Sequence, residues 1–375
     1  MVSPALGERP ERHPSPGSRA AIGLGRFIVA ISVPIIAFII LWQGFLFLRE
    51  SDAPKIVIAV VAVAWGVGGV ALLYVSMNFF IERLPAGISG KVLPFLFVGP
   101  ALFLLTWFLV LPTIRTFWIS LFNSNSTQFV GLDNYVKVFT DPAFLTVFRN
   151  NALWMVVGTT GVVVAGLLIA VLADRSKWES GAKAMIFMPM AISFVGAGII
   201  WNFMYEVRDA DQPQIGVVNA IVVALGGDPQ AWTSLVQPWN NFFLIFIMIW
   251  LQVGFAMVLF SAAIKGIPAE LTEAARVDGA TDRQVFFNIT IPQIRGTIVT
   301  VITTTVILTL KVFDIVIVMT GGQFGTSVVA YEFYRQYFTS RSFGIGSALA
   351  IVLLLAVIPV MVYNLRRFRG QEGFR

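Results

Sequence analysis

Asn241-Phe-Phe-Leu-Ile-Phe-Ile-Met-Ile-Trp-Leu-Gln-Val-Gly-Phe-Ala-Met-Val-Leu-Phe-Ser-Ala-Ala263 is a run without a single charge. A helix of about 20 mostly apolar residues spans the hydrocarbon core of a bilayer, and this run meets that length. It does not alternate polar and apolar, so it reads as a helix and not as a barrel strand. Seven more stretches qualify: 26–48, 56–81, 93–114, 151–173, 184–204, 297–319 and 343–365. Composition agrees: 57% of the 375 residues are hydrophobic and 12% are charged, against about a quarter charged in soluble domains. A cytosolic enzyme and a disordered chain are excluded on that basis. The fold class is an all-α polytopic membrane protein with about eight transmembrane helices.

With the amino terminus inside, 17 of the 26 lysines and arginines fall on the inner side and 8 on the outer, with Lys311 inside a span. That bias places both termini in the cytoplasm and the chain in the cytoplasmic (inner) membrane, as a multi-pass protein. The net charge of +6 then marks the inner face and asks for no nucleic acid. The first span is too long for a signal-peptide core, and Trp42 to Arg49 offers no small-residue cleavage site, so it reads as uncleaved. The expected organisation is a cytoplasmic tail 1–25, a two-helix hairpin 26–83, a six-helix core 84–366 and a cytoplasmic tail 367–375. Cysteine is absent, which excludes disulfides and thiolate metal sites, and the single histidine, His13, sits in the amino-terminal tail without a second imidazole.

The loop 264–296 on the inner side is the most informative segment. Pro268 suits the first turn of a helix and Gly279 its end. Thr281 followed by Gln284 is a capping box for a second helix. Ile267, Leu271 and Val277 give the first helix an apolar side, Glu270, Glu273, Arg276 and Asp278 give it charge, and Ala269, Ala274 and Ala275 admit close approach. Short amphipathic helices of this kind also lie flat at a membrane surface.

Glu273-Ala274-Ala275, then Gly279, then Ile289-Thr290-Ile291-Pro292 resembles the EAA loop of binding-protein-dependent ABC importer permeases, with Ile291 in place of the usual leucine. Gly131-Leu-Asp-Asn-Tyr135, Asp141-Pro-Ala-Phe144 and Asn150-Asn151 resemble the first external loop of the carbohydrate permeases of the maltose/α-glucoside type. Phe313-Asp314, Met319-Thr320-Gly321-Gly322 and Phe343-Gly-Ile-Gly-Ser-Ala348 resemble their last third. The amino-terminal hairpin is similar to that of the larger permease subunit. The resemblance implies a type I ABC importer permease architecture and inward transport of a sugar, an oligosaccharide or α-glucoside. It implies a second homologous permease, two ATP-binding subunits and an extracytoplasmic sugar-binding protein as partners, besides membrane lipid. Glu273, Ala274, Ala275, Arg276, Asp278, Gly279 and Pro292 would then couple the chain to the ATPases. ATP and Mg would sit on those subunits, with no cofactor, metal or catalytic residue on this chain. No Gly-x-x-x-x-Gly-Lys-Ser/Thr loop occurs in the sequence, and Gly321-Gly322-Gln323 reads as a turn. Two alternatives stand beside this reading: an ABC permease for another small polar solute, and an ion-coupled secondary transporter.

Polar groups inside spans mark cavities or helix contacts. Gln252 and Phe255 are spaced i, i+3, while Thr305, Thr309 and Val312 share one helical face. By the resemblance, Leu251, Gln252, Phe255, Thr305, Thr309 and Val312 would line a sugar site; an intramembrane threonine also bonds its own backbone. Lys311 and Asp314 are expected as a structural intramembrane pair, in preference to a proton relay. Tyr331, Tyr334 and Tyr337, in the last external loop, read as interface or binding-protein contacts in preference to a separate sugar cage.

Overall fold

The computed structural model describes residues 16–83, 86–209, 211–235 and 237–372, and every regular element among them is a helix. His13 lies outside the described residues. The chain packs as two units that divide at Thr113/Ile114, later than the expected hairpin boundary.

In the first unit, α1 (Pro16–Glu50) and α2 (Lys55–Glu82) form a hairpin around a short link at 51–54. Residues 16–25, expected as a tail, already belong to α1: no proline stands between Pro16 and the apolar run, and Gly23 and Gly25 do not end the helix. Trp65 Nε1 donates to the Leu41 carbonyl at 3.0 Å, and Gly44 and Gly69 leave room for Trp65 and Leu41 respectively. Most apolar side chains of α1 and α2 are exposed, as they are on α3 (Phe97–Ser120), which suits a lipid environment.

The second unit begins within α3 and contains α4 (Asp133–Thr140), α5 (Pro142–Asp174), α6 (Glu179–Ala191), α7 (Phe194–Met204), α8 (Val217–Ala224) and α9 (Trp239–Lys265). It continues through α10 (Ala269–Val277), α11 (Asp282–Gln293), α12 (Arg295–Leu310), α13 (Asp314–Met319), α14 (Val329–Tyr334) and α15 (Phe343–Glu372). Its core is the seam between α5 and α9. Gly158, Gly161 and Gly166 face Met248, Ile249 and Ala256, so the two helices run parallel at a spacing that only small residues permit. Around the seam, Trp154, Leu244, Ile245, Met257 and Phe260 are fully buried. Gly254 closes on the backbone of α6: a Cβ there would stand 2.5 Å from the Ile186 carbonyl oxygen.

Among the described residues, six helices are long and apolar enough to cross a membrane, or up to eight if each of two bent pairs is one span. The stretch 184–204, expected as one helix, is broken. Met188–Ala191 tightens into a 3-10 turn at Pro189, and Ser193 caps a new helix by accepting from the Gly196 amide at 3.0 Å. α6 and α7 therefore meet at 104°. The stretch 297–319 is broken too. α12 stops at Leu310, where Asn151 Nδ2 donates weakly to the Thr309 and Leu310 carbonyls at 3.5 and 3.4 Å, and α13 starts afresh at Asp314. Before it, α11 and α12 bend by 66° at Ile294. At the other end of the chain, α15 continues to Glu372, so residues 367–372 of the expected tail are helical.

Candidate functional site

The loop 264–296 carries its chemistry on backbone geometry. Pro268 precedes α10 in an extended conformation (ψ 130°), which starts the helix without needing its missing N–H. Gly279 ends it at φ +82°, a conformation that costs a residue with a Cβ roughly 1–2 kcal/mol. The Gly279 amide donates to the Arg276 carbonyl at 3.0 Å and the Ala280 amide to the Ala275 carbonyl at 2.9 Å. Those two bonds are a Schellman closure. The chain then re-enters a helix through the expected capping box. The Gln284 amide donates to Thr281 Oγ1 at 3.4 Å and the Thr281 amide to Gln284 Oε1 at 2.8 Å. Thr281→Ala should cost about 1 kcal/mol of local stability. Faster hydrogen exchange at the amides of α11, by about fivefold, checks it.

No residue of α10 is buried. Leu271 and Val277, at 42% and 87% exposure, are apolar and uncovered, while Glu273, Ala274, Arg276, Asp278 and Gly279 are exposed and Ala275 is half-buried. Arg276 pairs with Asp282 at 3.4 Å, fixing one edge, and Pro292 is exposed beside the α11–α12 bend. A helix so presented leaves Leu271 and Val277 uncovered by the rest of this chain.

Its root is tied down by a charged cluster that the sequence reading missed. Lys183 on α6 donates to Asp174 at the end of α5, to Glu179, and to Ser261 on α9. Ser261 Oγ donates to Asp174 Oδ1 at 2.7 Å, and Lys265 contacts Glu179. The Lys183 and Asp174 side chains are 18% and 13% exposed. Glu179 and Lys183 at i, i+4 were legible as a helical pair, but their convergence with Asp174 and Ser261 depends on the parallel run of α5 and α9.

The expected sugar-site residues do not form one surface. Leu251, Thr305, Thr309 and Val312 are 2%, 2%, 0% and 7% exposed, packed inside this chain's own core. Thr309 Oγ1 donates to the Val306 carbonyl at 2.9 Å, so its hydroxyl is spent on its own helix. Val312 lies beyond the end of α12, which removes the helical face it was to share with Thr305 and Thr309. Gln252 and Phe255 remain half-buried on α9. Lys311 and Asp314 form no ion pair with each other within 4.0 Å, because the break at 311–313 destroys the i, i+3 relation; Lys311 is exposed and Asp314 half-buried.

At the opposite end of α5, the asparagines hold the loops together. Asn134 Nδ2 donates to the Ser120 and Phe122 carbonyls at 2.8 and 2.7 Å. Asn150 Nδ2 donates to the Gly325 and Ser327 carbonyls at 2.6 and 2.8 Å, and Asn151 Oδ1 accepts from the Val329 amide at 2.7 Å. Gly321 and Gly322 form a turn at φ +57° and +67°.

Residues 161–369 match the family described as binding-protein-dependent transport system inner membrane component. The chain is 54% identical over 280 residues to the osmoprotective compounds uptake permease protein GgtC of Synechocystis sp., covering 75% of this chain and all of that one. It is 50% identical over 287 residues to the alpha-glucoside transport system permease protein AglF of Rhizobium meliloti, covering 76% of this chain and 85% of that one. A crystal structure of a bacterial ABC transporter involved in the import of the acidic polysaccharide alginate shares the fold. The TM-score is 0.64 at 21% identity, over 76% of this chain and 97% of the other.

Proposed function

Because this chain belongs to the family of binding-protein-dependent transport system inner membrane components, we propose that it carries a neutral oligosaccharide or α-glucoside inward, driven by partner ATPases that grip α10. The ion-coupled alternative falls with that membership: the chain is a permease subunit of an ABC importer, a transport subunit. The observation that supports coupling through α10 is that none of its residues is buried, between a Schellman closure and the Lys183 cluster. Glu273, Ala274, Ala275, Arg276, Asp278 and Gly279 meet the ATPases, and Pro292 sets the bend behind them. ATP and Mg belong to those subunits, two per importer, with a second permease completing the membrane part. Both termini and α10 face the cytoplasm, and an extracytoplasmic binding protein delivers the sugar. Of the expected substrate contacts, Gln252 and Phe255 keep an accessible edge and remain the candidates within the spans. The R. meliloti relative's name supports an α-glucoside; the Synechocystis relative's name supports an osmoprotective compound.

The test is purification through a tag on this chain from its native membrane, then ATP hydrolysis assays with the recovered complex. Maltose, trehalose, sucrose and glucosylglycerol, each with the envelope binding proteins, form the panel. Recovery of an ATPase and a second permease, with hydrolysis raised only when one of these solutes and its binding protein are both present, is the expected result. Recovery of the complex with no response to any solute overturns the cargo assignment.

A further inference from the structure

A cavity of about 800 Å³ opens at the end of the second unit opposite α10. It lies between the start of α5, the glycine turn at 321–325, α14 and the first turn of α15. Its volume falls within the roughly 300–1,000 Å³ of small-molecule sites. At its wall stands Glu332, a carboxylate with a 4% exposed side chain. Glu332 Oε1 accepts from Arg335 Nη2 at 2.6 Å and from Gln336 Nε2 at 2.8 Å. Glu332 Oε2 accepts from Arg335 Nε at 3.0 Å and from Ser327 Oγ at 3.3 Å. A buried carboxylate with four donors is fully used. It serves to hold Arg335, Gln336 and Ser327 in fixed positions around the cavity, and in return it raises the affinity of the Arg335 guanidinium for its proton.

The charges lining the cavity balance. Lys137 and Arg335 are offset by Asp141 and Glu332. An anionic ligand such as a phosphate calls for an excess of Arg or Lys, which is absent from this lining. A neutral ligand with many hydroxyls instead needs donors and acceptors side by side and an apolar face for its ring carbons. Gln336 and Asp141 supply both kinds of polar group, and the Tyr331 ring, held against Gly322 and 6.3 Å from Phe313, supplies fixed apolar surface at the wall. Gly322 at φ +67° lets that ring lie against the backbone, where a Cβ would collide with it.

We propose that this cavity is a second saccharide site, outside the spans, that receives a neutral sugar at the face of the chain away from α10. The ligand class rests on the reading of the chain as a sugar importer; the site itself rests on the cavity and its polar lining. A sugar handed to the transporter would be held here, weakly, before or after it passes through the spans.

The test uses the intact importer in detergent without its binding protein, and equilibrium dialysis against radiolabelled maltose, trehalose and sucrose in the millimolar range. Two variants accompany the wild type. Ala143→Trp adds an indole to an exposed lining position of α5 and fills the cavity; Lys137→Met removes an exposed lining ammonium that makes no side-chain ion pair within 4.0 Å. The expected result is binding of one of the sugars with a dissociation constant of about 1 mM, weakened at least tenfold (about 1.4 kcal/mol) by Ala143→Trp and several-fold by Lys137→Met. Absence of binding, or binding untouched by Ala143→Trp, overturns the site even if sugar-stimulated ATP hydrolysis is normal. If both variants leave sugar dialysis unchanged and, in a separate pull-down with the binding protein added, weaken its association, the cavity is part of a protein docking face and the saccharide site is wrong. The sugar-import reading fails separately, when none of the panel stimulates ATP hydrolysis in the wild type with its binding protein present.

Discussion

Gly279→Val should abolish uptake while the protein reaches the membrane at normal abundance. The position is open: a Cβ built on Gly279 meets nothing within 4 Å, so the substitution creates no clash with a neighbour. Its cost is conformational. At φ +82° a β-branched residue is a genuine outlier, and a cost of at least 1–2 kcal/mol is expected. The chain relieves it by leaving the left-handed region, and the bonds from the Gly279 and Ala280 amides to Arg276 and Ala275 then break. The end of α10 unravels and the approach to the Thr281 cap changes direction, so the surface offered to the ATPase loses its shape. Gly279→Asn is the informative partner, because asparagine tolerates the left-handed region. It should retain most of the uptake. Equal loss in both variants would assign the effect to side-chain bulk in the ATPase contact and not to the turn. Normal uptake in Gly279→Val, with abundance checked by immunoblot, would falsify the role of α10 in coupling.

The turn at Gly279 was legible in the sequence because local rules set it: proline before, glycine after, threonine and glutamine three apart. Apolar runs likewise revealed the spans. What stayed hidden follows from contacts between distant segments. A run such as 297–319 looks like one helix to any count of hydropathy, yet Asn151, far along the chain, takes up the carbonyls of Thr309 and Leu310 where α12 ends. The side-chain positions of Val312, Lys311 and Asp314 were inferred from a helix that is not continuous there. Thr305 and Thr309 share a face as expected, but that face meets α5 and not a cavity: Thr309 lies against Gly158. The motif residues Asn134, Asn150 and Asn151 turned out to bind backbone carbonyls and amides of other loops, so they hold together the end of the second unit away from α10. The bend at 188–193 was half visible in Pro189 and Ser193, each an ordinary residue in a membrane helix until the two act together.

Lys183→Met should lower the stability of the assembled importer by about 2 kcal/mol, between what an exposed pair and a fully buried one cost, because the Lys183 and Asp174 side chains both keep some exposure. The lysine serves Asp174, Glu179 and Ser261 at once, and methionine keeps its length while removing all three bonds. Asp174 then keeps only the Ser261 hydroxyl on Oδ1, since its Oδ2 is buried without a hydrogen-bond partner. Lys265, 4.0 Å away and half exposed, offers partial compensation, which keeps the loss from reaching the full range. The stranded carboxylate is the source of the damage, so Asp174→Asn placed on top of Lys183→Met should recover most of it. In a double-mutant cycle read by thermal unfolding of the purified complex, the two sites should couple by about 2 kcal/mol. An additive pair, or a single variant that melts with the wild type, would remove the cluster from any account of stability. The same variants bear on transport. Lys265 ends α9, and Gly266, Ile267 and Pro268 lead from it directly into α10. A cluster that fixes the ends of α5, α6 and α9 to one another therefore fixes the base from which α10 projects. Lys183→Met should then let ATP hydrolysis run without uptake, while the double variant regains stability before it regains coupling, because asparagine restores neutrality without restoring the tie to α6.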